Sequence, residues 1–213
     1  ACIEADALSL MVNSSSNDGI PFHTNKEFLT GWLKEGLNWD GMIVTDWSDA
    51  KFAFSRDFTT PTYKEAIRRV IDAGVDMLME PYSVEACDYL VELVNEKQLP
   101  MSRIDDAVRR ILRLKFRLGL FDDPYGTSSD YAKFADPEFV KYAYNAALES
   151  EVLLKNDNSL LPLSKDARIL LVGPNANSMR TLGGGWNYTW QGDAADNPAF
   201  TGQYNTIYEA LKT

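Results

Sequence analysis

The chain has little that would serve nucleic-acid, metal or redox chemistry. Its 213 residues carry 21 basic against 31 acidic side chains, a formal net charge of −10, whereas nucleic acids and anionic membranes both select clustered positive charge. Two cysteines, Cys2 and Cys87, form neither a CxxC nor a zinc spacing and no disulfide framework, so they read as buried or incidental thiols. No run of about 18 apolar residues is present, and the first residues lack the basic-then-apolar form of a signal peptide. A single histidine, His23, and no G-x-S-x-G sequence leave Ser-His catalysis without its parts. His23 reads instead as a loop residue making a structural hydrogen bond. Neither a cofactor nor a metal is expected, and no low-complexity tract or long internal repeat occurs.

What is present is an alternation of short apolar runs and amphipathic helices. Ala7 to Val12 reads as a buried strand leading into a polar loop, Asn13 to Pro21. Thr24 and Glu27 then form a capping box. Phe28, Leu29, Trp32 and Leu33 follow at helical spacing, and Gly36 offers a left-handed stop. Met42 to Thr45 is a second strand, and Asp49 to Pro61 a polar loop. The pattern repeats with Thr62 and Glu65 as capping box, Ala66, Ile67, Val70 and Ile71 as an inner face, Gly74 as stop, and Val75 to Met79 as a third strand. Helices are predicted over Val84 to Val94 and Ser102 to Leu118. The second is rich in arginine, which reads as an ion-paired rim with Asp105 and Asp106 as partners.

Parallel strands need helical crossovers, so this alternation favours a parallel sheet or a (β/α) barrel. A closed barrel takes eight strand-helix units and about 250 residues, so residues 1–120 read as the C-terminal portion of one. Turn chemistry from Phe121 to Asp136 marks a linker, and residues 121–150 the linker with a connecting helix whose inner face is Val140, Ala143, Tyr144, Ala147 and Leu148. Ala167 to Val172 reads as a buried strand opening a second α/β unit over residues 151–213.

The chemistry centres on Ile43-Val44-Thr45-Asp46-Trp47. An apolar strand delivers a carboxylate and a large aromatic to its C-terminal end, where α/β enzymes keep their sites. Asp46 either caps the next turn or meets a carbohydrate, and the indole beside it suits a pyranose face. Asp49, three residues on, makes a weak metal pair, because hard cations gather several oxygen ligands; it reads as the partner of a backbone amide or a neighbouring base. Gly183-Gly184-Gly185 is no phosphate loop, since Trp186, Asn187, Tyr188, Thr189 and Trp190 follow it in place of the lysine motif. The two tryptophans are either structural or an aromatic flap over a ligand.

Several of these runs together resemble glycoside hydrolase family 3. Val44-Thr45-Asp46-Trp47 looks like the family's nucleophile motif, with Asn25 to Gly41 similar to the helix and turn before it. Ala73 to Met77 and Arg103 to Leu112, continued through Phe116 to Phe121, resemble the end of its barrel. Glu149 to Asn156, Leu160-Leu161-Pro162-Leu163, and Gly184-Gly185-Trp186 with Trp190-Gln191-Gly192 are similar to its second, α/β sandwich domain. The resemblance implies a retaining, exo-acting β-glucosidase acting on β-glucosides or β-glucan oligosaccharides, without nucleic-acid or membrane partners and with a periplasmic or secreted setting. It implies Asp46 as nucleophile, Trp47, Trp186 and Trp190 as a clamp on the neighbouring sugar, and Met11 and Met79 as walls of the glucose pocket. Ser14 stands where many members place a tyrosine or phenylalanine. The family's other sugar-binding motifs and its acid/base glutamate have no counterpart in these residues, so the chain reads as a segment whose partner is the remainder of a larger chain. A family β-xylosidase or β-N-acetylglucosaminidase, or a non-catalytic carbohydrate-binding fragment, are the alternatives.

Overall fold

The computed structural model describes residues 1–134, 136–199, 201–202 and 204–212. They fall into two compact units, Ala1–Phe134 and Ala135–Thr213, both built from mixed helix and irregular chain, with strands in the first.

In the first unit, β1 (Ser9–Met11) pairs in parallel with β4 (Met42–Val44), in the register Ser9 to Met42, Leu10 to Ile43 and Met11 to Val44. Residues 75–79 were expected as a third strand. Among the described residues they make a single parallel bridge, Met77 to Val44: the amides of Asp76 and Met77 both donate to Ile43 O, and the amide of Met79 turns to the Thr45 side chain. A small hairpin of β2 (Ser16–Asn17) and β3 (Ile20–Pro21) occupies the expected polar loop. The strand expected over Ala7 to Val12 is shorter and not buried throughout; Val12 is enclosed, but Met11 is 57% exposed, since β1 has a partner strand on one edge alone among the described residues.

Helices cover this ribbon. The Glu27–Gly36 segment is wound with π-type bonds, seen where Leu37 N–H donates to Trp32 O, five residues back. Its expected start and stop are both displaced. Thr24 Oγ1 donates to Pro21 O, and Asn25 Oδ1 accepts from Phe28 N–H, so Asn25 rather than a Thr24–Glu27 box satisfies the first turn. The left-handed residue beyond the end is Asn38, with φ 50°, not Gly36. Asp49 to Pro61, expected as loop, contains helix α1 (Asp49–Ser55), whose Ala50 and Ala53 are fully buried. Small side chains one helical turn apart let it lie close on α2 (Tyr63–Ala73).

Helix α2 follows the sequence closely. Thr62 accepts from Glu65 N–H, although the Glu65 carboxylate turns to Arg68 and Arg69 instead of closing the box. Ala66, Ile67, Val70 and Ile71 are buried. Gly74 ends the helix at φ 119°, where a Cβ would stand 2.5 Å from Thr30 Oγ1, so both conformation and space call for glycine. Helices α3 (Glu85–Asn95) and α4 (Met101–Arg117) complete the unit.

In the second unit, α5 (Pro137–Ser150) starts where expected, with Asp136 accepting from Glu138 N–H. The inner face predicted for it has nothing to cover it among the described residues, and Val140, Tyr144 and Leu148 are exposed. Ala167 to Val172 is not a strand. Extended chain becomes a strand only by pairing, no partner is present among the described residues, and Leu170 is 87% exposed. Short helices α6 (Met179–Gly183) and α7 (Ile207–Ala210) follow. Cys2 and Cys87 are free and exposed, so the buried reading of either thiol does not hold.

Candidate active site

Asp46 follows β4, whose position a buried charge cluster fixes. Asp76 Oδ2 accepts from Ile43 N–H at 2.9 Å, while its Oδ1 receives Lys34 Nζ at 2.7 Å and Arg103 Nη2 at 2.6 Å. Arg103 also donates to Ile71 O, Val75 O and Asp106, and Arg110 donates to Asp106 and to the carbonyls of Trp39 and Gly41 just before β4. The arginines of α4 are therefore ion-paired as expected, Arg103 and Arg110 with Asp106 and Arg109 with Asp105, while Arg113 and Arg117 pair with Asp40, and the chain just before β4 is held through its carbonyls. Burial of Lys34 outweighs its ion pair and lowers its pKa to about 8.

Parallel pairing brings Met11, Asp46 and Met79 to the same end of the ribbon. Asp46 is half-buried, and its Oδ1 accepts from Trp47 N–H at 2.6 Å; the Asp46 carbonyl accepts from Asp49 N–H at 3.3 Å. The carboxylate thus makes the turn contact that its sequence position allows. Trp47 leaves 51% of its surface open. Its indole N–H donates to Tyr82 OH at 3.0 Å, and the two rings meet edge to face with centroids 5.9 Å apart. Met79 is half-buried, with its amide donating to Thr45 Oγ1.

Three groups at this end were not singled out in the sequence. Tyr82 orients Trp47, Arg56 lies over Ser14, and Glu80 accepts from Lys51 N–H and Tyr63 OH. Burial pushes Glu80 above the ordinary carboxylate range and Tyr63 above that of a phenol. Arg56 was hidden by the expectation of a loop; Glu80 and Tyr82 follow Met79 directly, and that adjacency was the available signal.

Asp49 accepts from Ser14 Oγ at 2.6 Å and stands 3.7 Å from Arg56 Nη1, which agrees with its reading as the partner of a base. His23 differs from expectation. It lies in the 3-10 turn Phe22–Thr24, fully buried, and neither ring nitrogen makes a hydrogen bond among the described residues, because its neighbours Asp49 and Asp57 stop 4.0 Å away. No group of three or more His, Cys, Asp or Glu suited to a metal occurs among the described residues, and no helix is long and apolar enough to cross a membrane.

Trp186 and Trp190 belong to the second unit. Trp186 N–H donates to Trp190 O at 2.9 Å, closing a tight loop with Trp186 at φ 60° and both indoles exposed. Asp46, Trp47, Met11 and Met79 are brought together in one unit, and the two loop tryptophans are brought together in the other.

Comparison with known proteins agrees with this organisation. Residues 1–114 match the glycosyl hydrolase family 3 N terminal domain and residues 151–213 its C-terminal domain. A lysosomal beta glucosidase of Dictyostelium discoideum is 39% identical over 91% of the chain and 24% of its own length, and a beta-xylosidase of Formosa agariphila is 33% identical over 98% and 29%. The crystal structure of an exo-1,3/1,4-beta-glucanase from a Pseudoalteromonas species superposes with a TM-score of 0.76 at 35% identity, covering 96% of this chain and 25% of that one. The chain thus spans about a quarter of the length of the curated relatives it matches. With both domain models matched in order and an α/β fold shared with solved members, the chain belongs to glycosyl hydrolase family 3.

Proposed function

We propose that the chain supplies the nucleophile side of a retaining, exo-acting β-glucosidase that removes terminal glucosyl residues from plant-glucan oligosaccharides. The observation that carries this reading is Asp46 just beyond the C-terminal end of β4, with the open indole of Trp47 beside it. In this reading residues 1–120 are the C-terminal portion of a (β/α)8 barrel, residues 121–150 the linker and connecting helix, and residues 151–213 the beginning of the sandwich domain. Asp46 attacks the anomeric carbon, Met11 and Met79 wall the glucose, Trp47 stacks on the next sugar, and Trp186 and Trp190 are sugar-stacking residues of the second unit.

Retaining hydrolysis uses a second carboxyl group about 5–5.5 Å from the nucleophile. The proposal assigns that acid/base to a glutamate outside these residues, in the remainder of a larger chain. The 213-residue chain alone should then leave an aryl β-glucoside intact. In the full-length protein, Asp46→Ala should lower turnover by about three orders of magnitude or more. Turnover by the isolated chain, or an active Asp46→Ala protein, would overturn the assignment. The beta-xylosidase relatives support a second reading in which the sugar is xylose; kcat/KM of the full-length protein on aryl β-glucoside against aryl β-xyloside decides between them.

A further inference from the structure

Five side chains around α1 form a ring that is open at one member. Ser14 Oγ donates to Asp49 Oδ1 at 2.6 Å, Arg56 Nη1 donates to Ser14 Oγ at 2.9 Å, and Arg56 Nε and Nη2 donate to the two oxygens of Asp57 at 2.7 and 3.1 Å. His23 completes it, with Nδ1 4.0 Å from Asp49 Oδ2 and Nε2 4.0 Å from Asp57 Oδ2. Every link is a hydrogen bond except the two at the imidazole. Both ring nitrogens and Asp49 Oδ2 are the buried side-chain polar atoms left without a bond among the described residues, and a buried polar group in that condition costs about 1–3 kcal/mol.

The charges explain what is missing. Asp49 and Asp57 ionised and Arg56 protonated leave the ring with one excess negative charge, and one proton on His23 would cancel it. A protonated imidazole donates from both nitrogens, and the two atoms it faces are both carboxylate oxygens. The ring is tied to the candidate nucleophile through Asp49, whose amide donates to the Asp46 carbonyl.

We propose that His23 is a positioning residue: protonated in mild acid, it draws Asp49 and Asp57 in to close the ring and thereby holds the Asp46 carboxylate in place. This rests on the reading of Asp46 as nucleophile. Burial holds the His23 pKa below its ordinary value, Asp49 and Asp57 oppose that, and Arg56 reinforces it, which puts ring closure in acid and not at neutrality. Asp49, Asp57 and Arg56 are the charged groups that act on the imidazole; α2, packed on the same turn, buries the apolar Ala66, Ile67 and Val70.

Because His23 is the sole histidine, nitrogen-15 NMR of the chain reads its titration without ambiguity. Asp46→Asn removes a negative charge and should move the imidazole midpoint to lower pH; Asp57→Asn should do the same. By reciprocity, His23→Gln in the full-length protein should move the acid limb of kcat/KM for an aryl β-glucoside to higher pH. It should also lower kcat about tenfold or more while KM changes little. An imidazole midpoint unmoved by Asp46→Asn overturns the proposal, as does a His23→Gln enzyme whose activity falls without a shift of the acid limb. If His23→Gln does not fold, the NMR titrations of the folded chain decide alone. Hydrolysis persisting in Asp46→Asn would instead sink the nucleophile assignment, which the NMR result does not depend on.

Discussion

Residues 1–134 enclose Ile43, Ile67, Val70 and Val75 completely, whereas in residues 135–213 Leu154 and Leu170 stand almost wholly open. The two stretches are similarly rich in Val, Ile and Leu, so composition does not separate them. What separates them is a second layer. In the first unit α4 lies against β4 and α2 packs on α1 and α3, so the apolar faces of β4 and α2 find others. In the second, α5 and the 167–172 segment present apolar faces that nothing covers among the described residues.

The contrast can be broken from its strong side. Asp76→Ala strips the shared carboxylate from Lys34 and Arg103, leaving two poorly solvated cations to share the half-exposed Asp106, a lesion of about 3 kcal/mol. Denaturant unfolding should show the transition of the first unit collapse to much lower urea, while the near-UV signal of the tryptophans at 186 and 190 stays as it was. An unfolding curve that hardly moves would mean that the charge cluster does not support the core.

A subtler test uses pH. Lys34 has a folded-state pKa of about 8 against an ordinary 10.5, so between those values the unfolded chain holds a proton that the native one has released. Stability must then rise with pH across that window. The rise should vanish in Lys34→Met, with urea midpoints from pH 8 to 10.5 as the measurement. The smallest effect is expected in the open unit: Leu170→Ser should change stability by no more than about 0.5 kcal/mol, and a loss above about 1 kcal/mol in denaturant titration would reveal a core there.

How far the sequence carried the reading follows the same divide. Helices α2 to α5 were legible because their periodicity and caps are local. Asp46 stood out because a strand ending in an acid and an aromatic is also a local pattern. Helix α1 was missed although Ala50 and Ala53 lie a turn apart, because its outward Lys51 and Ser55 and the following Arg56-Asp57 resemble loop composition. The helix stop at Asn38, two positions beyond the expected Gly36, accompanies the π-type winding of the segment. Ala167 to Val172 failed for the opposite reason: its pattern was right for a strand, but a strand exists only through a partner, and no sequence window contains one. The ring around His23 joins residues 14, 23, 49, 56 and 57, and its closure depends on tertiary placement alone.

The bond from Ile43 N–H to Asp76 Oδ2 acts as an index mark on the strand that carries Asp46. Successive residues of a strand face opposite ways, so a slip of one position would put Thr45 or Trp47 where the carboxylate now stands. Asp76 is held in turn by Arg103, on a helix whose own sequence carries no hint of chemistry. A change at Arg103 would therefore reach Asp46 as an error of aim.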